Sequence, residues 1–197
     1  MMPVVATDTE NFGIKHTSGL DTRLVKGEPQ LAMAGICLSA DGIEGLYVPI
    51  NHEDGKNLPL EAVHEVLQPL LDKALVVYFN SKYDREVLRL AGGFSLRPYP
   101  YFEDVQILHY LLDPKSEVEE EVSSFESAGL KALAHRELGI DQIELDELCK
   151  VKAKVTKPDG SYSYKMVLAP FHWVPTELAV YYAAADAITT WLLWDKM

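Results

Sequence analysis

The sequence predicts an α/β fold in which a mixed sheet, antiparallel at its start and parallel further on, is flanked by helices. Three observations lead to this class. A short apolar run begins at Val4, an apolar hairpin follows it, and segments with helical periodicity then alternate with one more buried strand. Since 197 residues can bury a sizeable core, we expect a single domain over residues 1–197.

The first strand is predicted at residues 4–12, which read VVATDTENF. Strand side chains alternate between faces, so Asp8 and Glu10 should point the same way. Two neighbouring carboxylates at the end of a buried strand are unfavourable unless a cation lies between them, and oxygen ligands favour Mg²⁺ or Mn²⁺. Taken alone, the motif fits an exposed acidic pair on an edge strand at least as well.

Two further strands are expected to pair with the first in antiparallel order. Residues 13–29 are polar and turn-rich and predict a loop, whereas residues 31–39 and 45–50 are apolar and predict strands. Between these two strands, Asp41 and Gly42 form a typical hairpin-turn sequence.

Helical and strand patterns alternate in the next segment. Residues 59–73 repeat apolar side chains at helical spacing, although Pro69 is expected to kink or shorten this helix. Residues 74–79, ALVVYF, predict a short buried strand, and residues 83–90 predict a helix with Asn80 as its cap. This alternation should place helices on the faces of the sheet.

Three more helices are predicted in the second half of the chain. They cover residues 102–112, 129–138 and 175–194, where apolar side chains return at helical spacing. Residues 115–127 are acidic and rich in serine, and they predict a surface loop.

A lysine-rich segment precedes the last helix. Residues 145–167 change to an alternating pattern around a Pro-Asp-Gly turn at residues 158–160, which predicts a protruding hairpin, and we treat residues 150–167 as an insertion. The hairpin could follow a single strand of nucleic acid, dock onto an acidic partner, or be ordinary solvated surface. Its lysines are Lys150, Lys152, Lys154, Lys157 and Lys165.

Charge and composition limit the function classes. A net charge of −12 argues against a protein that grips a long duplex through its phosphates. Cys37 and Cys149 lack metal-binding spacing and indicate reduced, buried thiols. Neither a membrane-spanning run nor a signal peptide is evident, so we expect a cytoplasmic protein with no membrane partner, or one in the host cytoplasm if it is viral.

Two more carboxylates have patterned surroundings. Asp84 follows a strand–helix junction that begins at Asn80, which places it in the first turn of the helix near the end of the sheet. It could be a functional carboxylate there, or it could equally complement the helix dipole. Tyr182 and Asp186 are four residues apart on the last helix, with alanines between them, so they share one face. A carboxylate on this apolar helix needs a partner, either a ligand or a nearby base or hydroxyl, and we favour a ligand.

These motifs together resemble a known family. DTE at residues 8–10, NSKYDREVL at 80–88 and YYAAADAITT at 181–190 are similar to the three exonuclease motifs of the DEDD superfamily, in its tyrosine-bearing branch. The chain resembles in particular the 3′–5′ proofreading domain of family A DNA polymerases of the bacterial polymerase I type. The segments LYVPINH, LQPLL, FEDVQILHYLLDP and GLKALAHREL extend the resemblance over nearly the whole chain. It departs at Phe79, where relatives carry a polar residue, and at the lysine-rich hairpin.

The resemblance implies a ribonuclease H-like fold and two divalent ions, Mg²⁺ or Mn²⁺, about 3.5–4 Å apart on the scissile phosphate. Asp8 would contact both ions, Glu10 and Asp186 would complete the first site, and Asp84 would hold the second. Tyr182 would orient the attacking water, because a tyrosine with a pKa near ~10 is a poor base at neutral pH.

The resemblance also implies a substrate, the single-stranded 3′ end of DNA, and a fused or separately encoded DNA polymerase as a partner. Asn80 and Tyr83 would contact the strand, Phe12 and Ile14 would wedge against the terminal base, and Lys82 could touch a phosphate.

Two other functions remain open at this point. The same site could trim RNA 3′ ends, as in ribonuclease D-like enzymes. Alternatively, the fold could be kept as a non-catalytic module that binds nucleic acid beside a polymerase, although all four acids and the tyrosine are present.

Overall fold

The computed structural model describes residues 2–14, 23–113, 129–156, 158 and 160–197. The acidic loop predicted at residues 115–127, together with Lys157 and Asp159 of the predicted hairpin turn, lies outside this part of the chain. The strands are β1 Val4–Gly13, β2 Leu24–Val25, β3 Glu28–Pro29, β4 Leu31–Ser39, β5 Leu46–Pro49, β6 Leu75–Tyr78, β7 Phe102–Asp104, β8 Lys150–Thr156 and β9 Tyr162–Leu168.

Helices account for most of the remaining described residues. They are α1 Leu60–Lys73, α2 Ser81–Leu90, α3 Val105–Leu112, α4 Leu130–Leu133 with a π-helical continuation at Ala134–Leu138, α5 Leu145–Cys149, a 3₁₀ turn at Phe171–Trp173 and α6 Thr176–Lys196. None of the described helices combines the length and the apolar character that crossing a membrane requires.

The main sheet has the strand order β5-β4-β1-β6-β7. The strands β4 and β5 pair antiparallel beside β1, while β6 and β7 add parallel strands on its other side. The predicted mixed sheet, with an antiparallel start and a parallel continuation, is therefore confirmed. The central position of β1 places its carboxylates in the middle of the molecule.

Helices cover both faces of this sheet. On one face, Val5 packs with Leu67 of α1 and Leu88 of α2 in one buried cluster. On the other face, Ala6 packs with Leu193 of α6, and Ala183 of α6 belongs to a neighbouring cluster. Because Asp8 and Glu10 share the strand parity of Ala6, they point towards α6.

The segment predicted as a helix at residues 102–112 begins as a strand. Phe102–Asp104 forms β7, and the helix begins only at Val105. The Asp104 carboxylate explains the change, because it accepts hydrogen bonds from the backbone N–H groups of Gln106 and Ile107 at the start of α3. The prediction of one continuous helix was wrong for these three residues.

Asn80 occupies the position before α2 but does not cap it with its side chain. Its backbone is left-handed, with φ 65°, and its side chain makes no capping hydrogen bond. The backbone N–H groups of Asn80 and Ser81 donate instead to Asp104, at 3.2 and 2.7 Å. One aspartate therefore caps both α2 and α3.

Smaller differences from the predicted elements have local causes. Pro69 lies inside α1 without ending it, because the helix continues to Lys73 and the proline is exposed, where water can satisfy the freed carbonyl. Two short strands, β2 and β3, lie within the loop predicted at residues 13–29, and α5 occupies the start of the segment predicted to be a hairpin.

Candidate active site

Three of the predicted carboxylates converge. Asp8 and Glu10 project from β1 and Asp186 projects from α6, and one carboxylate oxygen of each lies within 4.8 Å of the others. Glu10 and Asp186 are each only 8% exposed. A β-bulge in the β1–β4 pairing follows Glu10, and the ladder then continues from Asn11 with a shifted register.

Asp84 lies at the same cleft but belongs to a different set of contacts. It is 2% exposed in the first turn of α2. Its Oδ1 atom accepts hydrogen bonds from the backbone N–H of Thr9, at 3.0 Å, and from the Thr9 hydroxyl, at 2.7 Å. Its other oxygen, Oδ2, is not part of that pair of hydrogen bonds, so Asp84 can still offer a ligand atom.

The cleft has a volume of about 930 Å³, which is large enough for a nucleotide-sized ligand. The middle of β1 and the start of α2 line one part of it, and residues of α4, α5 and α6 line another part. Its lining includes Asp8, Asp84, Asp186, Asn80, Tyr83 and Tyr182. Six of the ten residues predicted for the site therefore border one cavity, and Glu10 lies behind them in the carboxylate cluster with Asp8 and Asp186.

Burial raises the pKa of every carboxyl group in the set. Desolvation is the largest cause for each, and the negative charges of neighbouring carboxylates raise the pKa values of Asp8, Glu10 and Asp186 further. For Asp84, the hydrogen bonds from Thr9 partly oppose this rise. The arrangement therefore disfavours its own ionised form in the absence of a positive charge.

This donor set fits a divalent cation. The carboxylates supply hard oxygen ligands, which Mg²⁺ and Mn²⁺ prefer, and Asp8, Glu10 and Asp186 are already within ligand distance of one another. A bound ion would also remove the repulsion that raises their pKa values.

The site includes a cation that the sequence analysis did not identify. Lys131, on α4, lines the cleft, and its positive charge lowers the pKa values of Glu10 and Asp186. Its Nζ atom also donates to the Tyr182 hydroxyl at 3.3 Å and lies 4.5 Å from the centre of the Tyr182 ring. A lysine on an amphipathic helix gives no sequence signal that separates it from a solvated one.

Two further side chains hold the carboxylates from outside the recognised motifs. Gln142 donates through Nε2 to Oδ1 of Asp186 at 2.8 Å. Cys37 is buried beside Asp8, where its thiol donates to the Asp8 carbonyl at 3.3 Å and to Oδ2 at 3.6 Å. Burial raises the pKa of this thiol, so it stays protonated and able to donate.

Tyr182 is half-buried beside the cluster, one helical turn from Asp186. Burial is the largest cause that raises the pKa of its hydroxyl, followed by the charge of Asp186. The phenol is therefore neutral at physiological pH. A neutral phenol can position a water molecule, whereas a general base would have to accept a proton from it.

The residues predicted to contact substrate are divided between two places. Asn80 and Tyr83 line the cleft, and the Tyr83 hydroxyl donates to Asn11 at 2.7 Å. The cleft lining does not include Phe12, Ile14 or Lys82. The Phe12 ring stacks on His172, with 3.7 Å between the ring centres, and the Ile14 backbone N–H donates to the Gln30 carbonyl. Lys82 is exposed on α2. Their proposed contacts with the terminal base and phosphate stay predictions.

Similar proteins were found among solved structures and among characterised sequences. The structure of Brucella melitensis NrnC superposes with a TM-score of 0.57 at 18% identity, and the comparison covers all of this chain and 72% of that one. A structure described as the apo form of the nuclease superposes with a TM-score of 0.56, also at 18% identity, over 98% of this chain and 70% of the other. At these identities the likeness establishes the fold, and it agrees with the predicted ribonuclease H-like class.

One relative by sequence is a polymerase. A DNA-directed DNA polymerase of Pseudomonas phage M6 is 35% identical over 86 residues, which are 43% of this chain and 13% of the polymerase. The family model DNA_pol_A_exo1, described as 3'-5' exonuclease, matches residues 1–197. With the fold, the acidic cluster and this match in agreement over the full length, the chain belongs to the 3′–5′ exonuclease family of the DEDD type that occurs in family A DNA polymerases.

Proposed function

We propose that this protein is a metal-dependent exonuclease that hydrolyses phosphodiester bonds at DNA 3′ ends, with a proofreading role. The observation that carries the proposal is the convergence of Asp8, Glu10 and Asp186 within 4.8 Å at a cleft that Asp84 also lines. Such a cluster suits phosphoryl chemistry because the anionic substrate and the acidic site can meet only through cations.

The carboxylates divide between two cation positions in this proposal. Asp8, Glu10 and Asp186 would hold one ion, and Asp8 with Asp84 would hold the second, each being Mg²⁺ or Mn²⁺. When bound, such ions polarise the phosphate, activate a water molecule and stabilise the leaving oxygen. Thr9 fixes the Asp84 carboxylate through its two hydrogen bonds, so the second position is built by β1 and α2 together.

Tyr182 orients the attacking water in this scheme, and Lys131 orients Tyr182. The Lys131 Nζ atom is 3.3 Å from the Tyr182 hydroxyl, which leaves the phenol proton free to donate away from the lysine. Asn80 and Tyr83 border the cleft on the α2 side, where they can contact the sugar or base of the terminal nucleotide.

The match to a phage DNA polymerase supports DNA as the substrate and a polymerase, fused or separately encoded, as the partner. We further propose that residues 1–197 form one exonuclease domain and that the lysine-rich hairpin at residues 150–167 is an insertion. The two buried, unpaired cysteines are consistent with action in the cytoplasm, or in the host cytoplasm for a viral protein.

The test is timed digestion of 5′-labelled substrates with Mg²⁺, Mn²⁺ or a chelator. Single-stranded DNA, RNA of the same sequence, and primer–templates with matched or mismatched 3′ ends are compared. We expect stepwise shortening from the 3′ end that needs metal, is faster on DNA than on RNA, and is faster on the mismatched primer. Faster digestion of RNA would identify RNA, and not DNA, as the substrate. Equal rates on the matched and mismatched primers would contradict proofreading.

A non-catalytic module is the alternative that the same assay tests. Digestion that persists unchanged in Asp8→Ala or Asp186→Ala would contradict the assignment of the site. Absence of any digestion by the unaltered protein, under all metal conditions, would favour the binding module.

A further inference from the structure

The hairpin of β8 and β9 buries none of its described side chains. Every residue of Lys150–Thr156 and Tyr162–Leu168 is exposed or partly exposed. An isolated two-stranded hairpin is only marginally stable in water. Its exposed tyrosines and aliphatic side chains therefore gain little from the fold of this chain and are available to a ligand.

The register of the hairpin sorts its side chains onto two different faces. Residues directly opposite each other on the two strands share a face. One face carries the pairs Lys152–Met166, Lys154–Tyr164 and Thr156–Tyr162, and the pairs between them lie on the reverse face. We call the first side the Lys-Tyr face; its members are Lys150, Lys152, Lys154, Thr156, Tyr162, Tyr164, Met166 and Leu168. The reverse face carries Val151, Ala153, Val155, Ser163, Lys165 and Val167.

The lysines and tyrosines of the Lys-Tyr face already contact one another. The Nζ atom of Lys154 lies 3.5 Å from the centre of the Tyr162 ring, and that of Lys152 lies 5.2 Å from the centre of the Tyr164 ring. Tyr162 and Tyr164 are nevertheless 60% and 63% exposed. Each ring therefore presents a free face beside a positive charge.

The base of the hairpin is close to the rim of the cleft. Glu144 and Leu145 line the cleft, and α5 then leads directly into β8 at Lys150. The backbone N–H of Ala169 donates to the carbonyl of Cys149 at 2.8 Å, and both of these residues are buried, which anchors the hairpin at this end. A helix of five residues is about 7.5 Å long, so the hairpin starts within roughly one nucleotide's length of the rim.

We propose that the Lys-Tyr face binds single-stranded DNA upstream of the 3′ end that occupies the cleft. Bases stack on exposed aromatic rings and phosphates bind lysines, and this combination is typical of surfaces that hold single strands without reading their sequence. An acidic protein partner would bind the lysines but would not need the tyrosine rings beside them. The inference rests on the proposed DNA exonuclease function for its choice of ligand.

The test measures binding separately from hydrolysis. Fluorescence anisotropy with a labelled 20-nucleotide single strand, in EDTA and at several salt concentrations, gives Kd values without turnover. Tyr162→Leu and Tyr164→Leu should each raise Kd about fivefold or more, because base–aromatic stacking is lost. Tyr162→Phe and Tyr164→Phe keep the ring and should bind as the unaltered protein does.

The lysines are tested through the salt dependence. Lys152→Gln with Lys154→Gln should reduce the slope of log K against log salt by about 1.4, since each lost phosphate contact on a single strand removes ~0.7. Lys165→Gln, on the reverse face, removes one positive charge from the same hairpin and should change the slope less than Lys154→Gln does. Equal slopes for these two single variants would overturn the proposal.

Other occupants of the Lys-Tyr face give distinct results. If a polyglutamate peptide competes as well as unlabelled DNA, the surface binds acidic protein; if the leucine variants change only the sedimentation coefficient, it binds a second copy. An RNA strand bound much more tightly than DNA would also overturn the choice of ligand. If the Kd values of all variants equal that of the unaltered protein, and the unaltered protein digests DNA, this inference alone is overturned. If the Kd values change as expected but the unaltered protein digests no DNA, the proposed function alone is contradicted.

Discussion

Thr9 donates two hydrogen bonds to a single carboxylate oxygen of Asp84. Its backbone N–H lies 3.0 Å and its hydroxyl 2.7 Å from Oδ1, across 75 residues of sequence. The residue between Asp8 and Glu10 points to the other face of the sheet, towards α2, as strand alternation requires. The middle threonine of the DTE motif therefore joins the two halves of the site.

Replacing Thr9 by valine should lower activity while the fold is kept. The variant loses the hydroxyl donor but keeps the β-branched shape, so the pKa of Asp84 should rise further and metal affinity should fall. Mutation of a residue that orients a metal ligand typically lowers metal affinity or activity by about 10- to 100-fold. We expect the activity of this variant to fall by about that factor. Initial rates titrated with Mn²⁺ measure it, and Thr9→Ser, which keeps the hydroxyl, should retain most of the activity.

Asp8→Asn and Asp186→Asn should each lower the digestion rate by about a thousandfold or more, because several kcal/mol of charge stabilisation at the phosphate is lost. In EDTA above pH 8, where these carboxyl groups ionise, the melting temperature should not fall, since each change then removes a like charge from a buried cluster. Asp195→Asn, an exposed position on the same helix, is the matched control. A marked drop in melting temperature would indicate that the carboxylates serve stability.

The order of the elements and the main carboxylates could be predicted because both depend on local patterns. Alternation placed Asp8 and Glu10 on one strand face, and helical spacing placed Tyr182 with Asp186. What could not be predicted depends on contacts between distant segments. The cap of α2 is Asp104, 24 residues beyond Asn80, and a strand of three residues such as β7 is too short to show a period of two.

The same reason explains the site residues that were missed. Gln142 and Cys37 belong to no recognised motif, and Lys131 lies in the GLKALAHREL segment, whose resemblance to the family did not single it out. Their contacts appear only when β4, α4 and the segment after α4 meet the carboxylates. Phe12 stays a prediction: the resemblance implies a contact with the terminal base, and in this structure its ring stacks on His172.

Tyr182 and Lys131 should act as a unit. Tyr182→Phe removes the hydroxyl that we propose orients water, and Lys131→Met removes the hydrogen-bond partner of that hydroxyl. Each variant should therefore lower kcat by about 10- to 100-fold. In the double variant the two losses should not add, because one interaction is shared. Single-turnover digestion of the four proteins gives the coupling, and fully additive losses would separate the two roles.

Gly45 sets the distance between the β4–β5 hairpin and α6. A Cβ atom on Gly45 would lie 2.7 Å from the Cβ and 2.8 Å from the carbonyl oxygen of Ala184, which stands between Tyr182 and Asp186. Gly45→Ala should therefore push α6 outward, with a loss of about 1–3 kcal/mol in the free energy of unfolding. Urea unfolding measures this, and Glu44→Ala, an exposed neighbour, should be near neutral.

The same variant also tests how rigidly α6 holds the helix face that bears Tyr182 and Asp186. If Gly45→Ala moves the helix, the digestion rate should fall together with stability, although Gly45 itself does not line the cleft. A loss of stability with an unchanged rate would show that the part of α6 bearing Asp186 is positioned by other contacts, among them the hydrogen bond from Gln142.

Without metal, the protein should lose stability as the pH rises from about 6.5 to 8. Burial raises the pKa of Asp84 to about 7 and that of Asp186 to about 8, so the folded state holds protons that the unfolded chain, with a carboxyl pKa near ~4, has already released. The stabilisation is complete below the unfolded pKa and is lost as the pH passes through the folded values. The lowered pKa of His172 acts in the opposite direction at lower pH, which is why the measurement begins near 6.5.

Mg²⁺ or Mn²⁺ should reverse this trend. Because the ligands bind as carboxylates, either ion should raise the melting temperature more at pH 8 than at pH 6.5. Scanning calorimetry over this range, with EDTA or with metal, makes the comparison, and Asp186→Asn should show a flatter profile in EDTA and a smaller gain with metal. A gain from metal that is equal at both pH values would mean that the ions bind away from the buried carboxylates.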